Sequence, residues 1–209
     1  MGVDRLLLLA TRNAGKLEEL NGLFRRFALA TIGLDAAGLA YHEDEENIEA
    51  FDTLRENAIA KASHFHWLSG LPTIADDSGL AVDILNGAPG VHSRRYSGRD
   101  DLSGQDLDDA NNRKLLLALR DTLHPGASFV CAGAYVGDGF EGVEEGIARG
   151  EILRAPRGEN GFGYDPYFLS SDLAKTFGEA TTEEKSLVSH RGRAFSALVA
   201  LLRERGRIR

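Results

Sequence analysis

An apolar run from Leu6 to Ala10 leads directly into Thr11-Arg12-Asn13-Ala14-Gly15-Lys16, and from there into apolar residues at helical spacing, Leu17, Leu20, Leu23, Phe24 and Phe27. That order reads as strand, tight turn and helix, and it commits the start of the chain to an α/β fold. Unpaired N–H groups at a helix N-terminus, a glycine that allows close approach and one lysine suit a phosphate group. The segment departs from the P-loop pattern, because Ala10 stands at the first glycine and Leu17 where a magnesium-binding hydroxyl would follow the lysine. A metal bound with the phosphate must then be held elsewhere.

With 209 residues and 43% hydrophobic content, the chain can bury a full core and is expected to form one domain spanning 1–209, with two lobes rather than separate domains. No apolar run approaches the ~18 residues of a membrane helix, and Asp4 precedes too short an apolar stretch for a signal peptide, so a soluble cytoplasmic protein with no membrane partner is expected. Cys131 is the one cysteine, which excludes intrachain disulfides and cysteine zinc sites; it reads as a core thiol. The net charge of −8 argues against nucleic-acid polymers as partners and leaves single nucleotides open.

Further along, Ala28 to Gly33 reads as a short strand and Glu43-Asp44-Glu45-Glu46 as a solvated turn. Thr53 to Glu56 is a capping box opening a helix to about Leu68, stopped at Gly70. Two buried strands, Pro72 to Ala75 and Leu80 to Ile84, are expected on either side of Asp76-Asp77-Ser78-Gly79. Carboxylates just past a strand's carboxyl end occupy the usual ligand position of open α/β sheets, and magnesium needs only one or two of them with substrate phosphates. Glu49, or a neighbour between Glu43 and Glu49, is the candidate third carboxylate. A helix from about Asp106 to Leu123, a strand from Phe129 to Val136, hairpins to about Arg154 and a last helix from Arg193 to Glu204 complete the expected order.

Gly137-Asp138-Gly139-Phe140-Glu141-Gly142 matches the dinucleotide fingerprint by letters, yet a strand-like segment follows it instead of a helix, so it reads as a hairpin turn. In Gly161-Phe162-Gly163-Tyr164-Asp165-Pro166, two glycines flank an aromatic ring suited to stacking on a base, with Asp165 as an acceptor for it. Lys185 and Ser189-His190-Arg191-Gly192-Arg193 place cations before and at the start of the last helix, where the helix dipole disfavours them and a bound anion would compensate.

Together these segments resemble the inosine triphosphatase family, also called the Ham1 or RdgB-like family of dITP/XTP pyrophosphatases. The resemblance rests on five blocks in order: Thr11 to Lys16, Glu56 to Ala62, Ala75 to Leu80, Gly161 to Pro166, and Ser189 to Gly192. It implies an elongated two-lobed α/β fold, a central mixed sheet flanked by helices, with the nucleotide in a cleft between lobes, and a homodimer. It also implies Mg2+-dependent hydrolysis of ITP, dITP and XTP to the monophosphate and pyrophosphate, which keeps these purines out of nucleic-acid precursor pools. The family's phosphate loop falls on Thr11, Arg12, Asn13, Ala14, Gly15 and Lys16; its metal and catalytic carboxylate on Asp77; its substrate serine on Ser78. Base and phosphate contacts fall on Phe162, Gly163, Tyr164, Asp165, Lys185, His190 and Arg191, a further phosphate lysine on Lys61, and the metal glutamate on Glu49. The chain departs from the family at Glu49-Ala50-Phe51, at Leu54 and at Arg12, where glycine is common.

On this reading water attacks the α-phosphorus, Asp77 or Asp76 takes its proton, and Lys16, Lys61 and Lys185 neutralise the phosphates. Rival readings are a Maf-like pyrophosphatase of other specificity, a non-catalytic nucleotide-binding module, and a P-loop phosphohydrolase releasing orthophosphate.

Overall fold

The computed structural model describes residues 6–209, so Asp4 and the reading built on it lie outside the described residues. The strands are β1 (Leu7–Leu9), β2 (Thr31–Gly33), β3 (Thr73–Val82), β4 (Gly126–Gly137), β5 (Phe140–Ile152) and β6 (Phe168–Ser170), in the order β2-β1-β3-β4-β5-β6 within one sheet. β1 pairs in parallel with both β2 and β3, whereas β5 and β6 run antiparallel, so the sheet is mixed. The helices are α1 (Ala14–Arg26), α2 (Leu54–Ser69), α3 (Gly104–Ala118), α4 (Thr182–Val188) and α5 (His190–Glu204).

The chain condenses into two compact units, one comprising the residues up to Asp77 with Cys131–Gly146 and Arg191–Arg209, the other Ser78–Val130 with Ile147–His190. In the first unit β1 carries apolar residues on both faces because both are covered. Leu7 and Leu9 join Leu20, Leu23 and Phe24 of α1 and Phe195, Leu198 and Leu202 of α5, while Leu8 and Ala10 meet Ala58, Ala62 and Phe65 of α2. Cys131 is fully buried in the first of these cores, where burial pushes its thiol up into an inert range. In the second unit Leu115 and Leu119 from the α3 region pack with Phe129, Ile152, Tyr164, Phe168 and Phe177.

Local signals mark several helix ends, although α3 stops at Ala118, short of the expected Leu123. Asn13 caps α1 by accepting the Lys16 N–H, Thr53 caps α2 by accepting that of Glu56, and Gly70 ends α2 at φ +67°. Asp138 and Gly139 turn β4 into β5 with both φ values positive, so the fingerprint-like glycines do form a hairpin turn. No helix among the described residues is long and apolar enough to cross a membrane.

Three expectations need correction. Asp76 to Gly79 do not follow a strand; they lie inside the single strand β3. Turn-forming letters are overridden there by tertiary partners: a Cβ on Gly79 would strike the Gly90 carbonyl oxygen, and the Leu80 N–H finds Ser93 Oγ at 2.8 Å. The acidic stretch is not simply solvated, since it winds a 3₁₀ turn, Glu43–Asn47, and Glu45 grips Arg12. The last helix begins at His190 rather than Arg193, and a short helix missing from the expected order, α4, precedes it, opened by a Thr181/Glu184 capping box.

Candidate active site

In the first unit the charged residues singled out by the sequence converge on β3. Asp76 is fully buried, accepting from Arg191 Nε at 2.9 Å, with Lys16 Nζ at 3.2 Å. A second carboxylate, Glu19 of α1, takes another Arg191 nitrogen at 2.6 Å. Arg191, at the start of α5, is thus compensated by two carboxylates of the chain itself. Lys61 of α2 pairs with Glu49.

Adjacent carboxylates here are driven in opposite directions. Burial would raise the Asp76 carboxyl, but Lys16, Arg191 and Lys61 overcome it and hold Asp76 well below the usual carboxylate range. For Asp77 burial prevails over Lys16 and Lys61, and the nearby Glu49 adds to it, so Asp77 lies above its ordinary value. Glu49 moves down despite its burial, through Lys61 and Lys16. Two neighbours pushed apart in this way divide the labour, with Asp76 a permanent anion and Asp77 the better proton acceptor.

Asn57 belongs to this cluster; it lies within the Glu56 to Ala62 block, which by itself assigns it no role. Its Nδ2 donates to Asp77 Oδ2 at 3.0 Å and to the Phe51 carbonyl at 3.2 Å, while its Oδ1 accepts the Phe51 N–H at 2.9 Å. It ties the loop after Glu49 to Asp77. Of the loop that opens α1, Thr11 is buried and its Oγ1 accepts the Asn13 N–H at 3.2 Å, and Ala14 and Gly15 begin the helix. Arg12 forms a fork with Glu45, at 3.0 and 2.7 Å, and reaches Asp35 at 2.6 Å. Because the fork is part-buried and charge-assisted, Glu45→Gln is expected to lower stability by about 1–2 kcal/mol, read as a lower urea midpoint at unchanged m-value. An unshifted midpoint would mean that solvent already screens the pair.

In the second unit the glycine turn is organised around Asp165. Gly161 and Gly163 adopt φ +76° and +63°, which side chains disfavour, and a Cβ on Gly161 would also strike the Asp165 carboxylate. Asp165 Oδ2 accepts the Phe162 N–H at 2.9 Å and Lys185 Nζ at 2.6 Å, so this carboxylate is turned inward as an anchor. Lys185 is buried, its ammonium 5.3 Å from the Phe162 ring centre and 5.4 Å from that of Phe177. Tyr164 is buried and donates to the Ser93 carbonyl at 2.8 Å; burial pushes its hydroxyl up. His190 stacks on Phe129 with ring centres 4.7 Å apart, and Ser78 is half-buried on β3.

No group of three or more His, Cys, Asp or Glu side chains among the described residues closes by itself around a cation position. The first cluster nevertheless offers hard oxygens from Glu49 and Asp77, the chemistry that magnesium takes when phosphates and water complete its shell. In that cluster the three cations Lys16, Lys61 and Arg191 are set against the four carboxylates Glu19, Glu49, Asp76 and Asp77.

Comparison with known proteins agrees with the ordered motifs. The Ham1 family profile matches residues 7–201. A dITP/XTP pyrophosphatase of Frankia alni is 48% identical over 202 residues, covering 95% of this chain and 97% of the relative, and one of Escherichia coli O157:H7 is 44% identical over 202 residues, covering 94% and 98%. Among solved structures, a HAM1 protein from Coxiella burnetii aligns with a TM-score of 0.79 at 38% identity, covering 96% of this chain and 99% of that one. The Staphylococcus aureus Ham1 protein aligns at 0.78 and 36%, covering 96% and 100%.

Proposed function

The chain belongs to the Ham1 family, and from that membership we propose that it hydrolyses non-standard purine nucleoside triphosphates, ITP, dITP and XTP, to the monophosphate and pyrophosphate. The observation that best supports this is the opposed pair on β3, a charged Asp76 that holds Lys16 and Arg191 beside a more basic Asp77.

Glu49 and Asp77 would hold Mg2+ together with triphosphate oxygens, and the ion would offset charge growing on the departing pyrophosphate. Asp77 orients a water toward the α-phosphorus and accepts its proton as the new P–O bond forms and the bond to the β-phosphate breaks. Lys16 and Lys61 neutralise the phosphates. Asp76 and Glu19 fix Arg191, so the donor that reads a purine's 6-keto oxygen is assigned to His190 or a neighbouring backbone N–H rather than to the guanidinium. Phe162 supplies the stacking face. Adenine presents an amino group where this donor needs an acceptor, and sites built on such hydrogen bonds discriminate by ~10⁴ or more. A homodimer and a cytoplasmic location, beside the nucleotide pools, belong to the same proposal.

The test is a substrate panel of ITP, XTP, dITP, GTP, ATP and dTTP with magnesium. The purines with a 6-keto group and no 2-amino group are expected to exceed ATP and GTP in kcat/KM by orders of magnitude. Equal rates on all would refute selective removal of non-standard purines, and a preference for dTTP would favour a Maf-like specificity.

A further inference from the structure

The turn that carries Phe162 is fastened to α3 through both polar groups of one residue. Asp108 Oδ2 accepts the Gly163 N–H at 2.8 Å, and Asn112 Nδ2 donates to the Gly163 carbonyl at 2.9 Å. Asp108 and Asn112 are four apart, so one helix face presents an acceptor and a donor side by side. Asn112 Nδ2 also donates to the Asp108 carbonyl at 2.9 Å, which fixes the amide's orientation, since the flipped group would set an oxygen against two carbonyls.

Both residues are poor choices for packing alone. The Asn112 Oδ1 is buried with no hydrogen-bond partner, an arrangement that an apolar residue on this helix would avoid. Burial pushes the Asp108 carboxyl up, with Asp165 adding to it, and the Gly163 N–H draws it back. A Cβ on Gly163 would meet nothing within 4 Å, so its glycine answers to the left-handed φ, which aims both peptide groups at α3. Phe162 is consequently fixed from two sides, its own N–H on Asp165 and its neighbour Gly163 on α3.

We propose that Asp108 and Asn112 are positioning residues for base recognition: by clamping Gly163 they set where the Phe162 ring stands to receive the purine. This rests on the reading of Phe162 as the stacking face of an ITP-hydrolysing enzyme. The clamp acts on the base and not on the phosphates, and that separates it from a general structural role.

The experiment is steady-state kinetics on ITP for wild type, Asp108→Ala, Asn112→Leu, Asp108→Asn, Phe162→Ala and the doubles with Phe162→Ala, each also titrated with inorganic tripolyphosphate as a base-free inhibitor. Asp108→Ala and Asn112→Leu are expected to raise KM about tenfold, the scale of one charge-assisted hydrogen bond, with kcat changed less than about twofold. Asp108→Asn keeps an acceptor for the Gly163 N–H and is expected to recover most of the loss. In the Phe162→Ala background the same substitutions should add less than about twofold, and the tripolyphosphate inhibition constant should not move. Additive losses, weakened tripolyphosphate inhibition or an unchanged KM would overturn the clamp while leaving the enzyme's function intact. A wild type that leaves ITP untouched would overturn the functional reading and the clamp with it.

Discussion

Asp77→Asn is expected to cut turnover on ITP by at least ~10²–10⁴, the usual loss when a general base is removed, because the same carboxylate is also assigned to the metal. The substitution is nearly isosteric and leaves Asn57 beside an amide in place of a carboxylate. Its effect on folding should have the opposite sign from its effect on activity. The Asp77 carboxyl is held above its ordinary value, chiefly by burial, so its charge at neutral pH works against the folded state. The inactive variant is therefore expected to melt at or above the wild-type temperature. Near-normal turnover would remove Asp77 from the chemistry, and a large drop in melting temperature would show that its charge is structural.

Asp76→Asn is expected to do the reverse and damage the fold first. The carboxylate is fully buried between Arg191 and Lys16, and removing one member of a buried ion cluster leaves uncompensated charge. Such losses run to about 3–5 kcal/mol, on the order of 10 °C in melting temperature for a chain of this size. The pH dependence follows from the direction of its shift. Asp76 is held below its unfolded value, so its contribution is fully present above about pH 4, the unfolded aspartate range, and is lost as pH falls through the lower folded value. The difference between wild type and Asp76→Asn should accordingly be constant from neutral pH down to that range and shrink below it. A difference that grows in acid would contradict the assignment of Asp76 as the permanently charged partner.

The elements that could be read from the sequence are those whose cause is local. Thr11 to Lys16 announce a strand, a tight turn and a helix because the turn and the apolar spacing of Leu20, Leu23 and Phe24 act within a few residues of each other, and the structure adds Asn13 as the cap. Thr53, Gly70 and the Asp138-Gly139 turn were legible for the same reason. Asp76 to Gly79 were misjudged as a break because their letters favour a turn, whereas partners far along the chain, Arg191 for Asp76 and Gly90 and Ser93 for the segment behind it, hold them in a strand. Arg191 shows the same limit from the other side. Its dipole anomaly was visible, but that Glu19 and Asp76 compensate it depends on tertiary contacts across 172 and 115 residues. Asp108 and Asn112 carry no signal of their own, and Asn57 stands in the Glu56 to Ala62 block without a role, since a single amide or carboxylate on a helix is ordinary until its partners are known. Ordered motifs therefore disclosed the family and the groups proposed for the site, while the residues that hold those groups in place appeared only with the fold.

The most direct measurement is hydrolysis of ITP with magnesium in ¹⁸O-labelled water, with the products separated and weighed. The expected result is inosine monophosphate carrying the label and unlabelled pyrophosphate, which locates attack at the α-phosphorus. Inosine diphosphate with labelled orthophosphate, or label in the pyrophosphate, would contradict the account.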